Sequence, residues 1–235
     1  MKAKKMETAP RLQGLRRRIL HCSVLLAALS ASGGMALAAT PAASTAPAAG
    51  QSRVLVVGDS LSAEYGLARG SGWVALLGQR VAAEKLPFEV VNASISGDTT
   101  AGGRSRLPAL LKQYQPKVLV IELGGNDALR GLPLASTRDN LTAMALAGKA
   151  AGAKLLLIGM QVPPNYGAQY TRDFADVFSS TAQAQKAALV PFLLVGIADR
   201  PDAEQLFQPD RIHPKAEAHP RMLDNVWPVL KPLLR

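Results

Sequence analysis

Beyond its first fifty residues the chain is a succession of short apolar runs, separated by longer stretches in which apolar residues recur every three or four positions. Residues 53–57 read Arg-Val-Leu-Val-Val and close on Gly58, the pattern of a buried strand. Trp73, Leu76, Leu77 and Val81 keep helical spacing, which predicts a helix over 73–85. A second strand is expected over 88–92, and residues 107–114 close a helix ahead of Pro116. The run 117–123 (KVLVIEL) predicts a third strand that delivers Gly124-Gly125. A helix is expected over 136–152, with Ser136 or Thr137 as its N-cap and Gly152 as its stop. The fourth strand is expected over 154–160, then a helix over 168–188 and a fifth strand over 189–195. That last strand belongs at an edge, because Pro191 has no N–H to give a ladder. A final helix fits 220–230, with Pro220 in its first turn and Pro228 disturbing its end.

Strands and helices therefore alternate, and the strands are near-continuous Val, Ile and Leu. That combination predicts an α/β fold built on a parallel sheet covered on both faces. Such sheets bind ligands outside the carboxyl ends of their strands. No internal repeat is present, and the length beyond the leader suits one domain.

The N-terminus changes how the charge is read. Seven cations (Lys2, Lys4, Lys5, Arg11, Arg16, Arg17, Arg18) and one acid, Glu7, precede a mostly apolar run from Ile19 to Leu29. Small residues follow, ending in Ala36-Leu37-Ala38, the small-x-small pattern of a signal-peptidase site. A membrane span needs roughly 20 consecutive apolar residues, and Ser30, Ser32, Gly33 and Gly34 interrupt this one. Residues 1–38 are thus expected to be a cleaved signal peptide, with an uncleaved anchor as the alternative. Arg16-Arg17-Arg18 partly resembles a twin-arginine signal, and ordinary secretion is the preferred reading. Cys22 lies near the start of the apolar run, the wrong place for lipidation. Residues 39–52, rich in Ala, Pro, Ser and Thr, read as a flexible linker, and 53–235 as the working domain.

The leader accounts for six of the chain's ten net positive charges, so the remainder carries +4, with no further Lys/Arg cluster after Arg18. Nucleic-acid binding is disfavoured on that ground. The only cysteine leaves with the leader, which excludes a disulfide framework and a catalytic thiol in the exported domain. The expected location is periplasmic or secreted, with no stable membrane insertion of the mature domain and a monomer as the working unit.

Four segments carry candidate chemistry. The first strand delivers Gly58-Asp59-Ser60-Leu61-Ser62, the second Asn92 to Asp98, the third Gly124-Gly125-Asn126-Asp127, and Asp210-Arg211-Ile212-His213-Pro214 precedes the last helix. Serine is a poor nucleophile unless a base takes its proton, and the base needs a partner to set its tautomer. His213 can be that base for Ser60, with Asp210 as its partner. The backbone N–H groups of Ser60 and Gly97 and the amide of Asn126 can supply oxyanion donors. Each segment alone also fits a turn: Gly-Asp-Ser and Gly-Gly-Asn-Asp as Asx-type loops, Asp-x-x-His as a loop closure, and Gly97 as a source of positive φ. Asp59, Asp98 and Asp127 read as loop braces and His219 as a solvated residue. Trp73 and Trp227 read as core rather than as substrate platforms.

Taken in this order, the segments resemble the SGNH, or GDSL, hydrolases, named for Ser, Gly, Asn and His. Ser60, Gly97 and Asn126 match the first three blocks of that family, and Asp210 with His213 matches the last. Within it the chain is similar to the bacterial periplasmic branch called acyl-CoA thioesterase I, lysophospholipase or arylesterase. The resemblance runs from about Val54 to Trp227. It includes Arg106 to Leu111, Glu122-Leu123 and Pro163 to Gly167. It implies a three-layer α/β/α flavodoxin-like fold with a five-stranded parallel sheet, no cofactor and no metal. It also implies that Ala128, Leu129, Arg130, Gly131, Leu132 and Pro133 form a mobile loop beside the acyl pocket, although Gly131 and Pro133 equally fit an inert turn. The implied activity is hydrolysis of a small-molecule or lipid acyl ester or thioester. A carbohydrate O-acetylesterase and a non-catalytic binding module on the same scaffold are the alternatives.

Overall fold

The computed structural model describes residues 51–235. The expected leader, 1–38, and the linker up to residue 50 lie outside the described residues. Five parallel strands run β1 Ser52–Gly58, β2 Phe88–Asn92, β3 Val118–Glu122, β4 Lys154–Ile158 and β5 Ala188–Val190. Their order across the sheet is β2-β1-β3-β4-β5. β1 opens one residue inside the stretch read as linker, because the Ser52 N–H is already held by Pro87 O at 3.0 Å. Val54–Val57, Val118–Ile121 and Leu155–Ile158 are buried, as both faces of a parallel sheet require.

Six α-helices complete the described residues: α1 Trp73–Ala83, α2 Thr100–Tyr114, α3 Gly125–Leu129, α4 Leu134–Ala150, α5 Ala168–Gln185 and α6 His219–Leu230. α1 packs on α6, while α2 packs on α4 and α4 on α5, so the sheet has a helical layer on each face. The chain is a three-layer α/β/α protein with a five-stranded parallel sheet. Trp73 and Trp227 both join the core. None of the described helices is long and apolar enough to cross a membrane.

Several ends differ from expectation, each for a local reason. β5 stops at Val190 because Pro191 cannot continue the ladder. Phe192, Leu193 and Leu194 are buried in the turn that follows rather than in a strand. α4 starts two residues before the expected Ser136, at Leu134, with Pro133 in the N-cap position. Thr137 is no cap: it turns inward and donates to Asp127 at 3.2 Å. α5 ends at Gln185 because Lys186 adopts a left-handed conformation, φ 50°. α3 is a helix where a glycine-rich loop is expected.

Strand order reverses between β1 and β3, since β1 is flanked by β2 on one side and β3 on the other. In open α/β sheets the crevice beyond the carboxyl ends at such a reversal is the usual ligand site. The segment with Ser60 leaves β1 there, and the segment with Asn126 leaves β3.

Candidate active site

Ser60 follows β1 in a tight turn in which the Ser62 and Ala63 N–H groups both donate to Asp59 O, at 3.2 and 2.9 Å. Its side chain meets the late loop expected to supply the base. His213 Nε2 lies 2.8 Å from Ser60 Oγ, and His213 Nδ1 lies 2.7 Å from Asp210 Oδ2. Asp210 Oδ1 also accepts the backbone N–H groups of Ile212 and His213, at 2.9 and 3.0 Å. Partial burial pushes the Asp210 carboxyl up, but the two backbone donors and the imidazole outweigh it and leave its pKa lowered to about 2. An ionised Asp210 can only accept, so Nδ1 carries the ring hydrogen and Nε2 presents its lone pair to the Ser60 hydroxyl.

The loop holding His213 is closed by backbone pairing. Gln208 N–H donates to His213 O at 2.8 Å, Lys215 N–H donates to Leu206 O at 2.8 Å, and Phe207 bridges Pro214. Gln208 Nε2 then ties this loop to the loop of Ser60 by donating to Tyr65 O at 2.9 Å. The Tyr65 ring packs on the His213 ring with centroids 4.3 Å apart.

Gly97 sits in the loop after β2 with φ 78°, a conformation that favours glycine. That loop is drawn against the end of β1 by Ile95 N–H to Gly58 O at 3.0 Å. Arg106, on α2, reinforces the junction. It pairs with Asp98 at 2.8 Å and donates to Ala93 O and, at 3.4 Å, to Gly58 O. Among the described residues neither the Ser60 N–H nor the Gly97 N–H is taken up by another protein group. Asn126 lies in the first turn of α3 and donates from Nδ2 to Asp59 Oδ2 at 3.1 Å, next to Ser60 in the chain. Ser60, His213 and Asp210 are thus in direct contact, and Asn126 is joined to them through Asp59.

In the segment expected to flank the substrate, Ala128 is buried in the core, whereas Leu129, Arg130, Gly131, Leu132 and Pro133 are exposed. Arg130 donates to Gly97 O at 2.8 Å, which links this segment to the loop after β2. Ile95, Leu129 and Leu132 expose apolar side chains at the same sheet edge.

The aspartates expected as braces do brace: Asp59 and Asp98 accept the nearby Leu61 and Thr99 N–H groups, and Asp127 acts at longer range. Asp127 is buried and receives the Thr100 N–H at 2.9 Å, the Thr100 hydroxyl and the Thr137 hydroxyl, locking α2 and α4 to the start of α3. His219, expected to be solvated, is 2% exposed. Its Nδ1 accepts the Trp73 N–H at 3.0 Å at the start of α1. Burial lowers its pKa, against a hydrogen bond to the Pro214 carbonyl that raises it. Sequence reading missed this because nothing in Ala-His-Pro marks the histidine as inward-facing, although its place one turn before Met222 and Leu223 was the available signal. Glu122 was also passed over as part of a strand, yet it is fully buried beside Asp59.

Comparisons with known proteins place the chain in a family. Residues 56–221 match the GDSL-like Lipase/Acylhydrolase family. The chain is 54% identical over 181 residues to Esterase TesA of Pseudomonas aeruginosa, covering 77% of this chain and 89% of that protein. It is 40% identical over 187 residues to Thioesterase 1/protease 1/lysophospholipase L1 of Escherichia coli K12, covering 80% and 87%. A crystal structure of the psychrotrophic esterase EstA from Pseudoalteromonas sp., inhibited by monoethylphosphonate, superposes with a TM-score of 0.73, with 40% identity and coverage of 78% of this chain and 99% of that one. With a family match over most of its length and relatives of this similarity, the chain belongs to the GDSL-like lipase/acylhydrolase family and is a hydrolase of the ester- and thioester-cleaving kind.

Proposed function

We propose that Ser60 attacks the carbonyl of an acyl ester or thioester while His213 Nε2 takes its proton. The Ser60 and Gly97 N–H groups and the Asn126 amide hold the oxyanion that results. Collapse of the tetrahedral adduct breaks the bond to the alcohol or thiol, which leaves with the proton from His213. Water then attacks the acyl-enzyme, His213 takes its proton, and Ser60 departs with that proton as the acid is released. The observation that carries this reading is the unbroken chain Asp210–His213–Ser60, with links of 2.7 and 2.8 Å.

The substrate is an acyl chain on a small molecule or a lipid. The exposed Ile95, Leu129 and Leu132 beside the site favour such a chain over an acetylated sugar, which would call for polar partners. The enzyme works outside the cytoplasm, delivered by the signal read in residues 1–38.

Ser60→Ala is expected to abolish hydrolysis of p-nitrophenyl esters and labelling by an organophosphonate while leaving the circular dichroism spectrum unchanged. Near-normal turnover by this variant overturns the assignment. Absence of phosphonate labelling in the wild-type protein favours a binding module on the same scaffold. A panel of acyl-CoAs and p-nitrophenyl esters of increasing length then ranks chain length and leaving group.

A further inference from the structure

Behind the nucleophile, two carboxyl groups are buried next to one another at the ends of adjacent strands. The register of β1 with β3 sets Gly58 opposite Glu122, so Asp59 begins its turn over the Glu122 side chain. Glu122 is 0% exposed and Asp59 3%. Glu122 Oε2 accepts the Ser62 hydroxyl at 2.7 Å and the Asp59 N–H at 3.4 Å, and the Ser62 oxygen accepts the Trp73 indole N–H at 3.2 Å. Glu122 Oε1 is buried with no hydrogen-bond partner. Asp59 Oδ1 accepts the Leu61 N–H and Oδ2 the Asn126 amide, each at 3.1 Å. Among the described residues no lysine or arginine pairs with either carboxyl.

Two adjacent carboxyl groups removed from water, with no cation to pair them, do not both ionise. Burial, and then the neighbouring Asp59, push Glu122 well above the ordinary carboxyl range, and burial raises Asp59 to about 6. The pair therefore retains a proton, and Glu122 meets the Asp59 turn through Oε2.

Resting on the assignment of Asn126 as an oxyanion donor, we propose that Glu122 is a positioning residue for the reaction: its Oε2 holds the Asp59 N–H and the Ser62 hydroxyl, and so fixes the turn whose Asp59 carboxyl aims the Asn126 amide. The amide has two N–H groups. One is committed to Asp59, and the geometry of that bond directs the other at the developing negative charge. Glu122 never touches substrate and acts through Asp59. The same packing accounts for the glycine that opens the motif. A Cβ on Gly58 would sit 2.8 Å from Glu122 Oε2 and 2.8 Å from the Ser62 side chain, displacing the acid that the site leans on.

Glu122→Gln tests the proposal because it keeps a carbonyl oxygen to accept from Ser62 and from the Asp59 N–H, whereas Glu122→Leu offers no acceptor. The expected result is kcat within about threefold of wild type for Glu122→Gln and a loss of about tenfold or more for Glu122→Leu, with KM little changed in both. In an Asn126→Ala background the Glu122→Leu substitution should cost little further, since the group it aims is gone. Infrared spectroscopy should show a protonated buried carboxylic acid in the wild-type protein that is missing from Glu122→Gln, a reading independent of whether Glu122→Leu folds. Full kcat in a folded Glu122→Leu, equal losses in Gln and Leu variants, or no protonated acid in the wild type each overturns the proposal. These outcomes are separable from failure of the catalytic assignment, which would instead show as turnover surviving Ser60→Ala.

Discussion

His213 Nε2 stands 2.8 Å from Ser60 Oγ across 153 residues of chain. Two loops must be held for that contact to exist, and different forces hold them. The nucleophile's loop is fixed by the end of β1 and the turn that begins at Asp59. The base's loop is fixed by its own backbone pairing and by Gln208, whose side-chain amide reaches both Tyr65 O at 2.9 Å and Pro214 O at 3.2 Å. The hydroxyl and imidazole meet already oriented, so little reorganisation remains for the chemical step.

Asp210→Asn should preserve this geometry and lose the chemistry. An asparagine at this position can present its N–H to Nδ1, which moves the ring hydrogen to Nε2 and removes the acceptor that Ser60 needs. A fall in kcat of about 10³- to 10⁴-fold is expected, with the fold intact. A variant within about tenfold of wild type would detach Asp210 from the reaction.

Asn126→Ala removes a donor that matters once the carbonyl oxygen becomes charged. The loss should therefore appear in kcat, by roughly 100-fold or more, while KM moves little. A change confined to KM would make Asn126 a substrate-binding residue only.

The acid limb of the activity profile should belong to the imidazole and not to its partner. His213 must be neutral to accept the Ser60 proton, so turnover declines as it gains one. Asp210, held down to about 2, stays ionised throughout that decline. Measuring kcat/KM against pH on a non-ionising ester checks this. A profile flat on the acid side of neutrality counts against His213 as the base.

What the sequence made legible follows from how local each signal is. β1 and β3 could be read because a strand buried on both faces must be a run of aliphatic residues, and Val54-Leu55-Val56-Val57 and Val118-Leu119-Val120-Ile121 are such runs. Ser60, His213 and Asp210 could be picked out because the proposed nucleophile, base and orienter need those residue types, and the three side chains are in contact. α3 was not legible: Gly-Gly-Asn disfavours helix, and the helix forms because Asp127 is pinned from α2 and α4, a tertiary cause no local window contains. Glu122 and His219 were illegible for a related reason. A lone acid one residue before the end of KVLVIEL, or a lone histidine before a proline, shows nothing of its burial. Each is tolerated inside because partners distant in the chain meet it there: Ser62 for Glu122, and Trp73 for His219.

The buried acid makes a last prediction, about stability rather than rate. In the unfolded chain Glu122 ionises near its ordinary value of 4.5, whereas in the folded protein burial and Asp59 keep it protonated well above that. Between those two points the folded state binds more protons than the unfolded one, so this residue's contribution to stability is present at low pH and drains away as pH rises. Glu122→Gln has no proton to lose and escapes that penalty. The stability of Glu122→Gln relative to wild type, taken from urea unfolding at a series of pH values, should therefore increase upward from about pH 4.5. The limiting slope is about 1.4 kcal/mol per pH unit, and it levels off only where Glu122 ionises within the folded protein. Lowered His219 contributes a term of opposite sign that wild type and variant share, so the difference between the two proteins reports the Glu122–Asp59 pair. A stability difference that does not change with pH would mean that Glu122 is ionised in the fold and that the buried pair retains no proton.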